Sequence, residues 1–134
     1  MNDAKPTKVL VVEDDADLAM LVALVLRAEG FTVELADNGK VALERLERGP
    51  ADLIVLDMKM PVMNGQEFVR AYRARYATGV PIIVVTAAEN ARRRAREVGA
   101  DAWLGKPFDP DALVALVRRV ASSAAPTALR TSDQ

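Results

Sequence analysis

The sequence predicts an α/β fold in which a five-stranded parallel sheet is covered by helices on both faces. Two observations predict it. Short apolar runs alternate five times with segments of helical periodicity. Three of these runs show no polar alternation, which is typical of strands buried on both faces. Strands that alternate with helices form parallel sheets through right-handed crossovers.

The strands are predicted from short apolar segments along the chain. Residues 9–12, 53–56 and 82–85 are continuous apolar runs and predict the three buried strands. Residues 31–36 alternate more, which predicts a less buried strand, and residues 102–104 form a short fifth candidate. The segments between these strands have apolar residues at helical spacing.

Capping and stop residues set the limits of the five predicted helices. They are Gly30 after the first helix, Asp37-Asn38 before the second, Asn64-Gly65 before the third, Gly99 after the fourth, and Asp109 as N-cap of the fifth. The elements occupy residues 8–121, after a short lead at residues 1–7. Residues 122–134 are small and polar, which predicts a flexible tail or a linker stub.

Composition excludes several function classes. The 134 residues carry a formal charge of -1, so no general attraction to nucleic acid or to anionic membranes is expected. The chain has no cysteine and no histidine, which excludes thiolate nucleophiles, zinc–sulfur sites and Ser-His-Asp triads. The N-terminus has no apolar signal segment, so we expect a cytoplasmic protein.

Polar residues follow four of the five predicted strands. Glu13-Asp14 follows the first strand, Asp57 the third, Thr86 the fourth and Lys106 the fifth. The common strand order 2-1-3-4-5 places these four strands side by side and leaves out only the second, which lies at one edge. Ligands of open α/β sheets bind outside the carboxyl ends of the strands. We therefore expect these groups to form one pocket.

Such a pocket has the groups for phosphoryl transfer. Carboxylates at close range repel one another and need a cation, and oxygen ligands favour Mg²⁺, with Mn²⁺ as the alternative. Lys106 and Thr86 can contact phosphoryl oxygens, and Asp57 can act as the nucleophile. Each residue alone is more simply explained as a helix cap or a surface group, so the prediction depends on their combination.

These residues lie in stretches that resemble response-regulator receiver domains of two-component signalling. The matching stretches are KVLVVEDD (residues 8–15), DLIVLDMKMPVMNG (52–65), PIIVVTA (81–87) and GADAWLGKPF (99–108). The resemblance covers about residues 8–121. It implies that Asp57 is the phosphoacceptor, that Asp14 is the direct acidic metal ligand, and that Glu13 acts largely through metal-bound water.

The resemblance also assigns the remaining site residues. Lys59 corresponds to the position that gives a backbone carbonyl to the metal. Thr86 resembles the switch hydroxyl, and the backbone N–H of Ala87 would help to hold the phosphoryl oxygens. Lys106 resembles the invariant lysine of the family. The resemblance further implies a cis bond before Pro107, whereas an X–Pro bond in general is more often trans.

The mechanism implied by the resemblance needs partner proteins. A histidine kinase or a histidine phosphotransfer protein supplies the phosphoryl group to Asp57 with Mg²⁺ bound. The face made by the fourth helix, the fifth strand and the fifth helix then changes and is recognised by a downstream protein. A homodimer that depends on phosphorylation is a further hypothesis. Slow hydrolysis of its own phosphate is the most enzyme-like activity expected.

The sequence departs from the family pattern at Trp103, where tyrosine or phenylalanine is usual. Trp103 either turns inward as the switch aromatic or packs outside as an apolar surface or interface residue. Lys59 either contacts the phosphoryl group or points into solvent. The arginines of the fourth helix indicate a solvated helix first, a partner surface second and a nucleic-acid patch third; they are Arg92, Arg93, Arg94 and Arg96.

Two other functions compete with the phosphoacceptor. The first is a binding-only module with the same fold and no phosphorylation, although Asp14, Asp57, Thr86 and Lys106 are all present. The second is an enzyme on this fold. The sequence contains no G-x-x-x-x-G-K-[ST] and no G-x-G-x-x-G motif, so P-loop and dinucleotide sites are not predicted.

Overall fold

The computed structural model describes residues 6–77 and 79–123, in which five strands alternate with five helices. The strands are β1 (Lys8–Val12), β2 (Thr32–Ala36), β3 (Leu53–Asp57), β4 (Ile82–Ala87) and β5 (Ala102–Lys106). The helices are α1 (Ala16–Ala28), α2 (Gly39–Arg48), α3 (Gly65–Arg75), α4 (Ala88–Val98) and α5 (Pro110–Ser123). This alternation confirms the predicted α/β fold.

The five strands form one parallel sheet in the order β2-β1-β3-β4-β5. The predicted order 2-1-3-4-5 is therefore confirmed. Val12 at the end of β1 pairs with Leu56, so Asp57 and the residue after β1 lie at neighbouring strand ends. Ala87 at the end of β4 pairs with Lys106 at the end of β5. The sheet thus presents four strand ends side by side.

The strands are apolar on both faces because each face of the sheet has its own core. One core packs α2, α3 and α4 on alternate strand residues such as Leu10, Ile54 and Val84. The other packs α1 and α5 on the intervening residues, such as Val11 and Ile83. Both faces of such a strand are buried, so its residues are apolar without alternating with polar ones.

Four of the five described helices have a side-chain cap at their N-terminus. Asp15, Asn38 and Asn64 each accept a hydrogen bond from a backbone N–H of the first turn of α1, α2 and α3. Asp109 accepts one from the N–H of Asp111 at the start of α5. α4 differs, because its N-cap is Ala87 and no side chain caps it. The start of α4 is therefore fixed by packing instead of a cap.

The helix ends also follow the sequence signals. Gly99 ends α4 with a φ of 66°, in the left-handed region that glycine tolerates. α5 continues past the predicted domain end at Ala121 to Ser123, and the rest of the predicted tail and most of the predicted lead lie outside the described residues. Within the described ranges, no helix is long and apolar enough to cross a membrane.

Gly105 fixes the distance between β5 and the first turn of α4. A Cβ atom built at this position would lie 2.5 Å from the Cα of Ala88 and 2.6 Å from its Cβ. These are contacts with a short side chain and with backbone, so no rotamer change relieves them. Only glycine lets the start of α4 lie this close to β5.

We expect Gly105→Ala to lower the free energy of unfolding by about 2 kcal/mol, because the first turn of α4 must move away. Gly49→Ala is the matched control, since a Cβ there meets only the Lys8 Nζ at 3.6 Å. Its effect should stay within about 0.5 kcal/mol. Urea unfolding of both variants measures the difference, and equal effects would contradict the close approach.

Candidate functional site

Three carboxylates meet at the ends of β1 and β3. Glu13 and Asp14 follow β1 directly, and Asp57 is the last residue of β3. Because β1 and β3 are neighbours, carboxylate oxygens of these three residues lie within 4.8 Å of one another. Glu13 and Asp57 are 6% and 3% exposed, whereas Asp14 is exposed. The fold thus holds like charges together, two of them away from solvent.

Lys106 brings the opposite charge into this cluster from β5. Its Nζ lies 2.9 Å from Oε1 of Glu13 and 3.5 Å from Oδ2 of Asp57. The lysine side chain therefore passes the end of β4 and joins the carboxylates at the ends of β3 and β1. The bond from Lys106 to Pro107 is cis, as the family resemblance implies.

Backbone N–H groups bind the remaining oxygens of the two buried acids. The N–H of Lys59 donates to Oδ1 of Asp57 at 3.2 Å, and the N–H of Asp15 donates to Oε2 of Glu13 at 3.1 Å. Asp15 itself caps α1 by accepting a hydrogen bond from the N–H of Leu18. Each buried carboxylate is therefore oriented by one backbone donor and by Lys106.

The environment of Asp57 raises its pKa. Burial disfavours the carboxylate most, and the charge of Glu13 disfavours it further. The Lys59 N–H and the Lys106 ammonium act in the opposite direction, yet the net effect raises the pKa of Asp57 from 3.8 to about 7. The cluster without a cation therefore favours the protonated form of Asp57 to a higher pH than for a free aspartate.

The pKa of Lys106 is also raised. Burial alone lowers the pKa of an ammonium group. The hydrogen bond to Glu13 and the charges of Asp57 and Glu13 outweigh this effect, so the pKa of Lys106 lies above its usual 10.5. Lys106 is therefore a permanent cation at the acidic cluster.

Thr86 and Ala87 end β4 between Asp57 and Lys106. Thr86 is 6% exposed, and α4 begins directly after Ala87. Both residues line an open cleft of about 720 Å³ together with Glu13, Asp14 and Asp57. Lys59 and Lys106 line the same cleft, so it contains seven of the eight predicted site residues.

Trp103 is the predicted site residue that lies outside the cleft. It is the second residue of β5 and is 47% exposed, and it is not among the residues that line the cleft. The tryptophan thus lies on the outside in this structure, and its inward turn as the switch aromatic stays a prediction. Exposed aromatic residues of this size are typical of interface anchors.

Three residues of α4 that are not among the predicted site residues also line the cleft. Asn90, Arg93 and Arg94 lie on one face of the helix, at spacings of three and four residues. The solvated helix expected first for these arginines describes Arg92, Arg93 and Arg96, which are exposed, whereas Arg94 is half-buried. The sequence does contain a signal for Asn90, Arg93 and Arg94, which is their spacing of three and four residues in the helix that follows β4.

The donor set fits a divalent cation with oxygen ligands. Glu13, Asp14 and Asp57 supply carboxylate oxygens, and Lys106 balances only one of the three negative charges. Hard divalent cations bind such oxygens, whereas softer metals prefer sulfur and nitrogen ligands. The residues present can therefore hold such an ion.

Comparison with known proteins places this geometry in a known context. The family model described as "Response regulator receiver domain" matches residues 9–118. Response regulator ArlR of Staphylococcus epidermidis is 38% identical over 116 residues, which are 85% of this chain and 52% of that protein. DNA-binding response regulator MtrA of Mycobacterium tuberculosis is 41% identical over 118 residues, 87% of this chain and 51% of that protein. The chain spans about half the length of these curated relatives.

Solved structures agree with the sequence comparison. Chemotaxis protein CheY4 of Vibrio cholerae is 37% identical with a TM-score of 0.76, covering 86% of this chain and 98% of that one. A protein of Chloroflexus aurantiacus, named "putative response regulator", is 31% identical with a TM-score of 0.81. The match covers 88% of this chain and 99% of that one.

The raised pKa of Asp57 predicts a stability effect that depends on pH. Between pH 3.8 and about 7 the unfolded chain has released this proton while the folded chain keeps it, so the wild type loses stability as pH rises. Without divalent cations, we expect Asp57→Asn to match the wild type near pH 4 and to exceed it by about 2 to 4 kcal/mol at pH 8.

Urea unfolding of both proteins in chelator, at several pH values, measures this difference. The difference should grow through the interval in which Asp57 ionises in the folded protein. A difference that is the same at pH 4 and pH 8 would contradict the burial of the charge as its cause.

Proposed function

Because the chain belongs to the response regulator receiver domain family, we propose that its Asp57 accepts a phosphoryl group from a phosphohistidine of a partner protein. A receiver domain is the phosphoacceptor of two-component signalling and a regulatory domain instead of a classical enzyme. The observation that carries the assignment to Asp57 is its position: a buried carboxylate between Glu13 and Lys106, open to the cleft.

The residues around Asp57 have separate roles in the proposed transfer. A carboxylate oxygen of Asp57 forms a bond to phosphorus, and the phosphorus–nitrogen bond of the phosphohistidine breaks with its electron pair going to the histidine nitrogen. Lys106 binds a phosphoryl oxygen and balances its charge. The Thr86 hydroxyl and the Ala87 N–H donate to the other phosphoryl oxygens.

Mg²⁺, with Mn²⁺ as the alternative, is the proposed cofactor. Glu13, Asp14 and Asp57 would hold it with the backbone carbonyl of Lys59, and when bound it offsets negative charge on the transferring group. The three carboxylates within 4.8 Å of one another support this proposal. Asp14 is exposed, so its carboxylate can exchange hydrating water for a metal ion without disturbing the core.

The proposed partner is a histidine kinase or a histidine phosphotransfer protein. It must bring an imidazole to the cleft that Leu18 of α1 lines. The same helix exposes Met20 (63%), Leu21 (43%) and Leu24 (67%). Exposed apolar residues beside a site support docking of a protein there.

The cytoplasmic location predicted from the sequence stays a prediction.

The outer face of α4, β5 and α5 is the proposed output surface. Exposed Trp103 lies on this face and supports its use as a contact surface for a downstream protein or a second copy. α4 joins the cleft to this face, since it begins directly after Thr86 and Ala87. A charge change at Asp57 can therefore bias the position of α4.

Intact-protein mass spectrometry tests the phosphoacceptor directly. Incubation with a small acyl phosphate and Mg²⁺ should add one phosphoryl group to the wild type, and chelator should abolish the adduct. Asp57→Asn should show no adduct. Asp52→Asn is the matched control, because Asp52 is an exposed aspartate just before the same strand, and it should keep the adduct.

The absence of any adduct in the wild type, with binding of Mg²⁺ verified, would favour the binding-only module. An adduct that persists in Asp57→Asn would place the phosphoryl group on another residue. Either result would contradict the proposed function.

Light scattering tests the proposed dimer. The mass of the wild type should double after addition of a phosphoryl mimic, whereas Trp103→Ala should remain monomeric because an interface aromatic contributes strongly to binding. Met20→Ala removes an exposed apolar side chain from α1 and should still dimerise. An unchanged wild-type mass would contradict the homodimer and leave a different protein as the partner of this face.

A further inference from the structure

β2 lies at one end of the strand order, so among the described strands only β1 pairs with it. Successive residues of a paired strand direct their backbone N–H and C=O groups to opposite sides, so every second residue of β2 faces away from β1. The N–H of Thr32 donates to the carbonyl of Thr7, which places Thr32 toward β1. The backbone groups of Val33 and Leu35 therefore point to the open edge of the sheet.

Two arginine side chains bind the carbonyls at this open edge. Arg27, in the last turn of α1, donates from its guanidinium group to the carbonyl of Val33 at 2.9 Å. Arg45, in the last turn of α2, donates from Nε to the carbonyl of Leu35 at 3.1 Å. Because α1 and α2 pack on opposite faces of the sheet, the arginines reach the edge from both sides. Both outward carbonyls of β2 thus have a side-chain donor.

Further charged groups lie beside these contacts. Glu34 of β2 has its Oε1 3.2 Å from Nζ of Lys8 and its Oε2 3.8 Å from Nε of Arg45. A strand that approached from outside would have to displace both guanidinium groups before its own N–H groups could reach the carbonyls. Charged side chains on an exposed edge disfavour pairing with another strand.

We infer that Arg27 and Arg45 keep the open edge of β2 from pairing with a strand of another molecule. A second copy of β2 is the strand that pairs when they are removed. A two-fold axis at this edge brings the same outward groups of two copies together as an antiparallel pair. The edge lies at the opposite end of the sheet from β5, so this contact is separate from the proposed homodimer.

Light scattering and residue-resolved amide hydrogen exchange of the unphosphorylated double variant R27M/R45M test the inference. Methionine removes the donors, keeps an unbranched side chain and has a helix propensity similar to that of arginine. We expect the mean mass of the variant to double or more as protein concentration rises, while the wild type stays monomeric. Over the same range, exchange of the Val33 and Leu35 amides should slow about tenfold, because each N–H gains a carbonyl partner.

The matched control is R92M/R96M, which replaces two exposed arginines of α4. It has the same change in net charge and a comparable gain of exposed apolar surface, and α4 packs against β4 and β5 instead of β2. The control should stay monomeric. Equal association of the control would overturn the inference, and so would association of R27M/R45M that leaves exchange at Val33 and Leu35 unchanged.

A second reading of the two arginines is that they only anchor α1 and α2 to the sheet. In that case R27M/R45M would unfold at lower urea concentration and stay monomeric while folded, which would also overturn the inference. The single variants R27M and R45M each open one carbonyl and keep the other contact. They give the same test if the double variant does not fold, and monomers in both would overturn the inference.

Discussion

The electrostatic repulsion among Glu13, Asp14 and Asp57 is the constraint on which the site depends. Their oxygens lie within 4.8 Å of one another, and two of the three residues are buried. The cores on both faces of the sheet bring β1 and β3 together and so impose this arrangement. Lys106 offsets only part of the charge. Apolar packing thus holds a cluster that is unfavourable by itself and that favours the binding of a cation.

α4 connects this cluster to the surface of the protein. It starts without a side-chain cap directly after Thr86 and Ala87, and Gly105 sets its distance from β5. At its other end, Arg73 of α3 donates to the carbonyls of Val98 and Gly99. The helix is therefore anchored at its C-terminal end and held mainly by packing at the end beside Asp57. This asymmetry suits a helix whose start responds to charge at the site.

Much of the fold and of the cleft could be predicted from the sequence because strand ends are visible in it. The apolar runs before Glu13, Asp57 and Thr86 locate the strands, and the strand order then brings their ends together. The apolar runs do not reveal Arg93 and Arg94, which line the cleft from α4 and are found only by their spacing along the helix after β4. The direction of Trp103 likewise depends on the pleat of β5, a short strand with only partial burial. The donation from the Lys59 N–H to Asp57 is a backbone contact that residue identity does not specify.

The fold forces three carboxylates together, and we expect a divalent cation to relieve their repulsion. The most direct test is the free energy of unfolding in a Mg²⁺ titration of the wild type and of Asp14→Asn. Asp14 is exposed, so its replacement leaves the core unchanged. We expect Mg²⁺ to stabilise the wild type progressively as a ligand of the folded state, and Asp14→Asn to require a much higher concentration. Equal stabilisation of both proteins, or no effect on the wild type, would contradict the account.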